Sequence, residues 1–408
     1  MRDLVRLLLP ALATLATASW LTACSSILGF DTLQAEGSDA GLDVASDAPA
    51  DQGIEVANDA PDADQDVAAP DATCGDTQTA EDNCGRCGHN CQGGTCVGGM
   101  CQAYRLAAIH DGAVGIAVNE TTVFAAVSLY NEIARVNKMT GLLEGIDNPV
   151  AILVPTRLAL DGDAMYWTNN TGHTGSVTSC PLAGCGGKDA KVLADNQDSP
   201  GSVAVDSTSV YWAEWDGATV KKANRGDGSG MQVLIPASAG YQPARIVVRD
   251  GYVYVTEAAA GNVMRVATGG GDVEILGHSQ KATGIAVDGT SVYWTDAQAY
   301  TGGVYRASVG GAGDAGAGTT SIASAQDFPN GIVVDENNVY WVTSSGTSAA
   351  EGTVRYCPLA GCPSGTPITL AEKVAYPIDV TADSTALYIS VNGIDGVMDG
   401  AILKVAKP

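Results

Sequence analysis

The chain is predicted to be all-β, with seven four-stranded blades arranged as a propeller, on three observations. A strand–turn–strand pattern begins seven times: GIAVNETTVFAA at Gly115, RLALDGDAMYWT at Arg157, SVAVDSTSVYWA at Ser202, RIVVRDGYVYVT at Arg245, GIAVDGTSVYWT at Gly284, GIVVDENNVYWV at Gly331 and DVTADSTALYIS at Asp379. The starts lie 42, 45, 43, 39, 47 and 48 residues apart, a period that matches one multi-stranded unit of a ring. Finally, the last copy runs out of chain before a fourth strand, while a matching strand stands ahead of the first copy.

Taken from the start, residues 1–24 carry Arg2 and Arg6, an apolar run from Leu7 to Trp20, and then Leu21-Thr22-Ala23-Cys24. The run is too short to span a bilayer comfortably and ends in small residues, as a cleaved signal does. Leu-Thr-Ala-Cys resembles a bacterial lipobox. That resemblance implies a lipidated Cys24 as the mature N-terminus. With Ser25 next, it also implies sorting to the outer membrane of a Gram-negative bacterium, on its periplasmic or surface side. An ordinary signal peptide with an incidental Cys is the alternative, which the position and all four residues of the motif argue against.

Residues 25–73 are rich in Asp, Ala, Pro, Gly and Ser and contain no Lys or Arg. Such a segment buries too little apolar surface to offset its ordering entropy, so an extended, self-repelling tether is expected. DAPDADQD lacks the fixed ligand offsets and turn glycine of an ordered calcium loop.

Residues 74–101 hold Cys74, Cys84, Cys87, Cys91, Cys96 and Cys101 among glycines, with few core-forming residues. Downstream of an export signal this reads as a disulfide module whose pairing is open among 15 possibilities. A zinc knuckle through Cys84, Cys87, His89 and Cys91 is the alternative, and His89 is read as a solvated loop residue. NCGRCGHNCQGGTC resembles the Stig1-like cysteine-rich motif, which implies no definite activity.

Residues 102–408 form the propeller. In the copy at Gly284, Ile285, Val287, Val292 and Trp294 alternate along two strands, and Asp288-Gly289 supplies the turn. Third strands recur as EIARVNK, GSVTSCP, ATVKKAN, GNVMRVA, GGVYRAS, GTVRYCP and GAILKVA, and fourth strands as AKVLAD, MQVLIP, VEILGH, TSIASA and PITLAE. The seventh unit has strands at Ile378–Thr381, Leu387–Val391 and Ala401–Val405 and then stops at Pro408, whereas YRLAAI at Tyr104 matches the missing fourth strand. The N-terminal strand is therefore expected to close the last blade and remove the free edges of an open ring. Cutting after Lys404 or before Tyr104 should destabilise the whole domain.

Cys-Pro-Leu-Ala-Gly-Cys occurs at Cys180–Cys185 and Cys357–Cys362. A disulfide across each closes a six-residue loop, contributing about 2 kcal/mol in the chain-entropy picture. The eleven cysteines are then all used: one lipidated, six in the module and four in two clips, with no thiol left for catalysis.

Repeats with a P-x-x-(I/V)-A-V-D lead and a V-Y-W-T-D end resemble the YWTD (LDL-receptor class B) propellers and the neighbouring NHL and SMP-30-like groups. The resemblance spans residues 102–408. Only Tyr293-Trp294-Thr295-Asp296 keeps the whole tetrad, which decays to YWTN at Tyr166, YWAE at Tyr211 and YVTE at Tyr254. It implies that Tyr211, Trp212, Tyr293, Trp294, Tyr340 and Trp341 pack between blades.

Loops joining the second to the third strand, and the fourth to the next first strand, share one face of such a ring. They carry Tyr130, Glu132, His173, Glu214, Trp215, Asp216, Tyr241, Glu257, Asp296, Tyr300, Phe328 and Tyr376. Aromatics with carboxylates suit a protein, peptide or glycan ligand. With 46 Asp plus Glu against 21 Lys plus Arg, a net charge of −25, nucleic acid is excluded as a partner. The expectation is a monomeric, lipid-anchored binding propeller with no cofactor, no metal and no catalysis. A purely structural envelope role competes with it, as does an enzyme. SMP-30-like lactonases would need a carboxylate–amide metal cluster, which Glu257, Asn169, Asn170 and Asp296 could imitate. Streptogramin-lyase-like propellers would need a His with a Glu, where His278 or His173 could serve.

Overall fold

A computed structural model of the chain describes residues 75–110, 112–147, 152–185, 190–238, 240–310, 318–344, 352–392 and 400–408. The expected signal peptide, the tether and Cys74 lie outside these residues. Seven four-stranded antiparallel sheets form the blades. Blade 1 comprises Ala113–Val118, Thr122–Val127, Glu132–Asn137 and Leu143–Asp147, its strands A to D in order. The A strands of blades 2 to 7 are Pro155–Asp161, Pro200–Val205, Pro243–Arg249, Ala282–Val287, Pro329–Val334 and Pro377–Ala382. They touch in sequence round the centre, and the last touches the first.

Closure occurs as the sequence predicts. Blade 7 has strands Pro377–Ala382, Ala386–Val391 and Ala401–Ala406, and its fourth strand is Tyr104–Ala108. The register pairs Tyr104 with Lys404, Arg105 with Leu403, Ala107 with Ile402 and Ala108 with Ala401, with a bulge after Arg105. Ile109 N–H continues the ladder to Gly400 O at 2.9 Å.

The period-two geometry of a strand explains the recurring Tyr-Trp pair. Adjacent residues of strand B point to opposite faces, so each Tyr packs against the following blade and each Trp against the preceding one. Tyr166 meets Trp212, Tyr254 meets Trp294, and Tyr293 meets Trp341, each pair within one core cluster. Phe124 meets Trp167 in the same way. Trp167, Trp212, Trp294 and Trp341 are fully buried. The tetrad's aromatics are thus the mortar between blades, as their resemblance implied.

The A-to-B turns are held by a second repeated device. Asp206, Asp288, Asp335 and Asp383 each accept, through Oδ1, the backbone N–H groups two and three residues on. Through Oδ2 each accepts the hydroxyl of the Tyr five residues on, at 2.7 to 3.0 Å. In blade 1 the turn residue is Asn119, which keeps the amide bonds, and the position five on is Phe124, which has no hydroxyl to offer. Burial pushes these four carboxyls up, but the turn amides, the tyrosine at Asp206, Asp288 and Asp383, and a lysine at Asp335 and Asp383 outweigh it and hold them below the usual range. A depressed folded value gives stability that is complete above the unfolded value of about 4 and is lost as pH falls through the folded one. The melting temperature is therefore expected to hold down to about pH 5 and fall steeply below about pH 4. The double variant Asp206→Asn/Asp288→Asn should show a shallower slope by circular dichroism, and parallel slopes would remove the clamp from the account.

Cys180–Cys185 and Cys357–Cys362 are disulfides. In each clip the glycine before the second Cys sits in the left-handed region, Gly184 at φ 119° and Gly361 at φ 122°, which a side chain resists. The preceding blade anchors each clip: Arg135 Nη1 donates to Ala183 O and Arg306 Nη1 to Leu359 O.

In the cysteine-rich module, Cys84–Cys96 and Cys91–Cys101 are paired, and Cys87 is also disulfide-bonded. Disulfides rather than a zinc knuckle therefore hold this segment. His89 is not the solvated residue the sequence suggests. Its Nδ1 lies 2.6 Å from Cys84 O and its Nε2 2.6 Å from Lys407 O. The end of the C-terminal strand offers its carbonyl to the module, and Ala406 packs among the module's cysteines. Tyr104 OH donates to Gln92 O at 2.9 Å, so the module clasps both strands that close the ring.

Candidate functional site

The last residue of strand B is the position where acid chemistry would be sought, since Asn169, Glu214, Glu257 and Asp296 all occupy it. All four are buried, and all four turn back to the backbone that leads into their own blade. Asn169 Oδ1 accepts from Leu153 N at 3.1 Å and Glu214 Oε1 from Asp198 N at 3.3 Å. Glu257 accepts from Gln242 N, Ala259 N and Ala260 N at 3.0, 2.7 and 2.8 Å. Asp296 accepts from Gln280 N and Lys281 N at 3.2 and 2.8 Å. A chain that must cross from one blade to the next exposes N–H groups with no sheet partner, and these side chains satisfy them. Glu214 is further tied to Thr219 Oγ1 at 2.7 Å and Lys221 Nζ at 2.8 Å.

On the loop face, the other sequence candidates are set out one or two per blade. Tyr130 stacks on His110 at 4.4 Å between ring centroids, and His110 Nδ1 lies 2.7 Å from Glu132 Oε2. Trp215, Tyr241, Phe328 and Tyr376 are half-buried, and Tyr300 is exposed. Tyr241 has a buried hydroxyl without a hydrogen-bond partner, which burial and the nearby Glu257 charge hold in its protonated form. Tyr300, Phe328 and Tyr376 have positive φ of 57°, 41° and 41°, a strained state for aromatic residues. The last two each precede a proline that opens an A strand. His278 is an exposed residue ending a D strand, and Asn170 Oδ1 accepts from Gly172 N at 3.2 Å.

Two candidates, His173 and Asp216, do converge, joined by Asp198, which the sequence did not single out. His173, in a short 3-10 turn, meets Asp198, and the nearest donor atoms of His173, Asp198 and Asp216 lie within 4.8 Å of one another. The hydrogen bond to Asp198, which accepts from the ring, then its charge and that of Asp216, raise the His173 imidazole above its ordinary value. Among the described residues, Cys84, Cys91 and Cys101 form the other trio with ligand spacing, and those are spent in disulfides.

Sequence reasoning missed the centre of the ring. The first residue of each repeat lies on strand A: Gly115, Arg157, Ser202, Arg245, Gly284, Gly331 and Asp379. Arg245 Nη1 donates to Asp379 Oδ1 at 2.7 Å and its Nη2 to Asn330 Oδ1 at 3.2 Å. Arg157 Nε stands 3.8 Å from Asp379 Oδ2, while its Nη1 donates to the carbonyls of Val114 and Thr156. Blades 2, 4, 6 and 7 are thereby cross-braced through the channel. Burial first, then the neighbouring Arg245 charge, lower the Arg157 guanidinium to about 9 against the pull of Asp379. The signal was present in the alignment of the repeats: charge at three positions where the other copies carry Gly or Ser. A Cβ at Gly331 would lie 2.7 Å from Asp379 Cα, so small residues there let neighbouring A strands approach.

With this geometry in hand, the comparisons are informative about the fold. No family model matches the chain, nor does any curated protein. Among solved structures, it is similar to a catalytically inactive virginiamycin B lyase from Staphylococcus aureus with quinupristin, at TM-score 0.58 and 14% identity, covering 75% of this chain and 99% of that one. A streptogramin B lyase structure is similar at TM-score 0.55 and 13% identity, covering 74% and 97%. Hydrazine synthase of Kuenenia stuttgartiensis follows at TM-score 0.52 and 13% identity, covering 69% and 93%. At such identities the likeness establishes the propeller fold alone.

Proposed function

We propose that this is a lipid-anchored envelope protein, held to the outer membrane through Cys24, whose propeller binds a protein, peptide or glycan partner through its loop face without catalysis. One observation carries the reading. The acidic and amide side chains best placed to do chemistry, Asn169, Glu214, Glu257 and Asp296, are committed to backbone amides, while aromatic surface at Trp215 and Tyr300 remains accessible. Rigid aromatics on a fixed scaffold are what a recognition surface uses.

The second reading, a metal-dependent propeller hydrolase, lactonase or lyase, is favoured by the trio His173, Asp198 and Asp216. Calorimetric titration of the full chain with an envelope glycan and peptide panel separates the two. Binding is expected to weaken about tenfold or more in Trp215→Ala or Tyr300→Ala with little change in melting temperature. Divalent-metal-dependent lactone opening or lyase turnover that disappears in His173→Ala would replace the binding reading with the enzymatic one.

A further inference from the structure

We propose that the channel beneath the loop face holds a carboxylate anion, gripped by the Nε–Nη2 edge of Arg157 and supported by Arg245. The inference rests on the loop face being the binding face, because strand A begins on that side of each blade, and it names the ligand chemistry of that face.

The charges at the centre of the ring do not balance. Two guanidiniums enter the channel, and one carboxylate, Asp379, answers them. The other four positions of the same repeat site are Gly115, Ser202, Gly284 and Gly331, so the ring supplies no second anion there. All three charged side chains are close to buried, with 12%, 13% and 9% of their surface exposed for Arg157, Arg245 and Asp379. A buried surplus charge is held at a cost unless something compensates it. Burial, and after it the Arg245 charge, depresses the Arg157 guanidinium despite the pull of Asp379.

The hydrogen-bonding capacity left over lies on Arg157. Arg245 is engaged on both terminal nitrogens, by Asp379 and Asn330. Arg157 spends Nη1 on two backbone carbonyls. Its Nε and Nη2 make no hydrogen bond to the described residues, Asp379 Oδ2 being 3.8 Å from Nε. Those two N–H groups form one parallel fork, the shape that takes a carboxylate through both oxygens. A planar monoanion would complete the fork and neutralise the surplus together. The carboxylate could arrive free or as the terminus of a peptide, and both present the same group.

The test titrates the full chain with 13C-labelled acetate at constant ionic strength, following line width. In parallel it compares acetyl-trialanine carrying a free C-terminus with its C-terminal amide. Saturable one-to-one acetate binding is expected. Arg157→Gln should weaken it about tenfold or more, and Asp379→Asn should tighten it about tenfold by removing the competing carboxylate. A simple structural brace would not produce that opposite sign. Free-acid peptide binding tighter than acetate, with none by the amide, assigns the source as a chain terminus, and acetate alone assigns a free carboxylate. Unchanged acetate line width in the wild-type chain overturns the proposal even if both variants fail to fold, as does binding that Arg157→Gln leaves intact. Loss of partner binding in Trp215→Ala alongside a silent acetate titration would keep the face reading and remove only the anion.

Discussion

A chain that begins at Ile109 is expected to lose the cooperative unfolding transition of the entire propeller. The deletion removes the fourth strand of blade 7. It also strips Leu106 and Ala107 from the core shared with Tyr388 and Ile402, and from the blade 1 residues Val123 and Ala125. The C-terminal strand is then an open edge with unpaired N–H and C=O groups, a template for pairing with other chains. Calorimetry should find no sharp transition, and size-exclusion chromatography should find oligomers. A chain beginning at Gln102, which lacks the module but keeps Tyr104–Ala108, should retain the transition at a lower midpoint because the His89 and Gln92 contacts are gone. Equal midpoints for the chain from Ile109 and the intact protein would mean that ring closure contributes nothing to its stability.

Trp212→Ala should cost about 3–5 kcal/mol, the range for emptying a buried aromatic site. Trp212 fills the seam between blades 2 and 3 with Tyr166, Val203 and Leu193. Its Nε1 also donates to Gln197 Oε1 at 3.1 Å and Glu214 Oε1 at 3.4 Å. Trp294 fills the corresponding seam two blades on, yet its Nε1 is buried without a partner. The D strand there ends in Gly277-His278, where blades 2 and 5 end in Gln197 and Gln326. Trp212→Phe should therefore cost about 1 kcal/mol more than Trp294→Phe, the net worth of a hydrogen bond. Urea unfolding of both variants checks the difference, and equal losses would remove the indole bonds from the account. Trp215→Ala, on the loop face, should stay within about 1 kcal/mol of the parent.

What was legible in the sequence follows from distance along the chain. The cysteine clips span five residues, so spacing alone reveals them; the Asp-Tyr clamps span five as well, but only the turn at Asp288-Gly289 was read, not the bond from the Tyr hydroxyl. The closing strand is three hundred residues from its partner but was still found, because five other fourth strands supply a template for YRLAAI. The roles of Glu257 and Asp296 were not legible. A carboxylate at a strand end reads as available until the amides it caps are seen. The brace of Arg245 and Asp379 joins residues 134 apart, and no periodicity tells that two members of a ring face each other across it. His89 was misread for a related reason, since its partner is the carbonyl of Lys407 at the other end of the chain.

The shared seventh blade also fixes an order of events. Tyr104 is made three hundred residues before Lys404, yet they are neighbours in one ladder. Through the synthesis of everything between them, the closing strand waits without a partner, and loop-closure entropy over that span must be met before any pairing rewards it. Six blades can form from contacts within some forty residues as the chain emerges. The seventh cannot. Folding should therefore end in one late step that converts a curved, open stack into a ring. The disulfide-bonded module, which bonds to Tyr104 on one closing strand and to Lys407 beyond the other, gains its contacts to both in that same step.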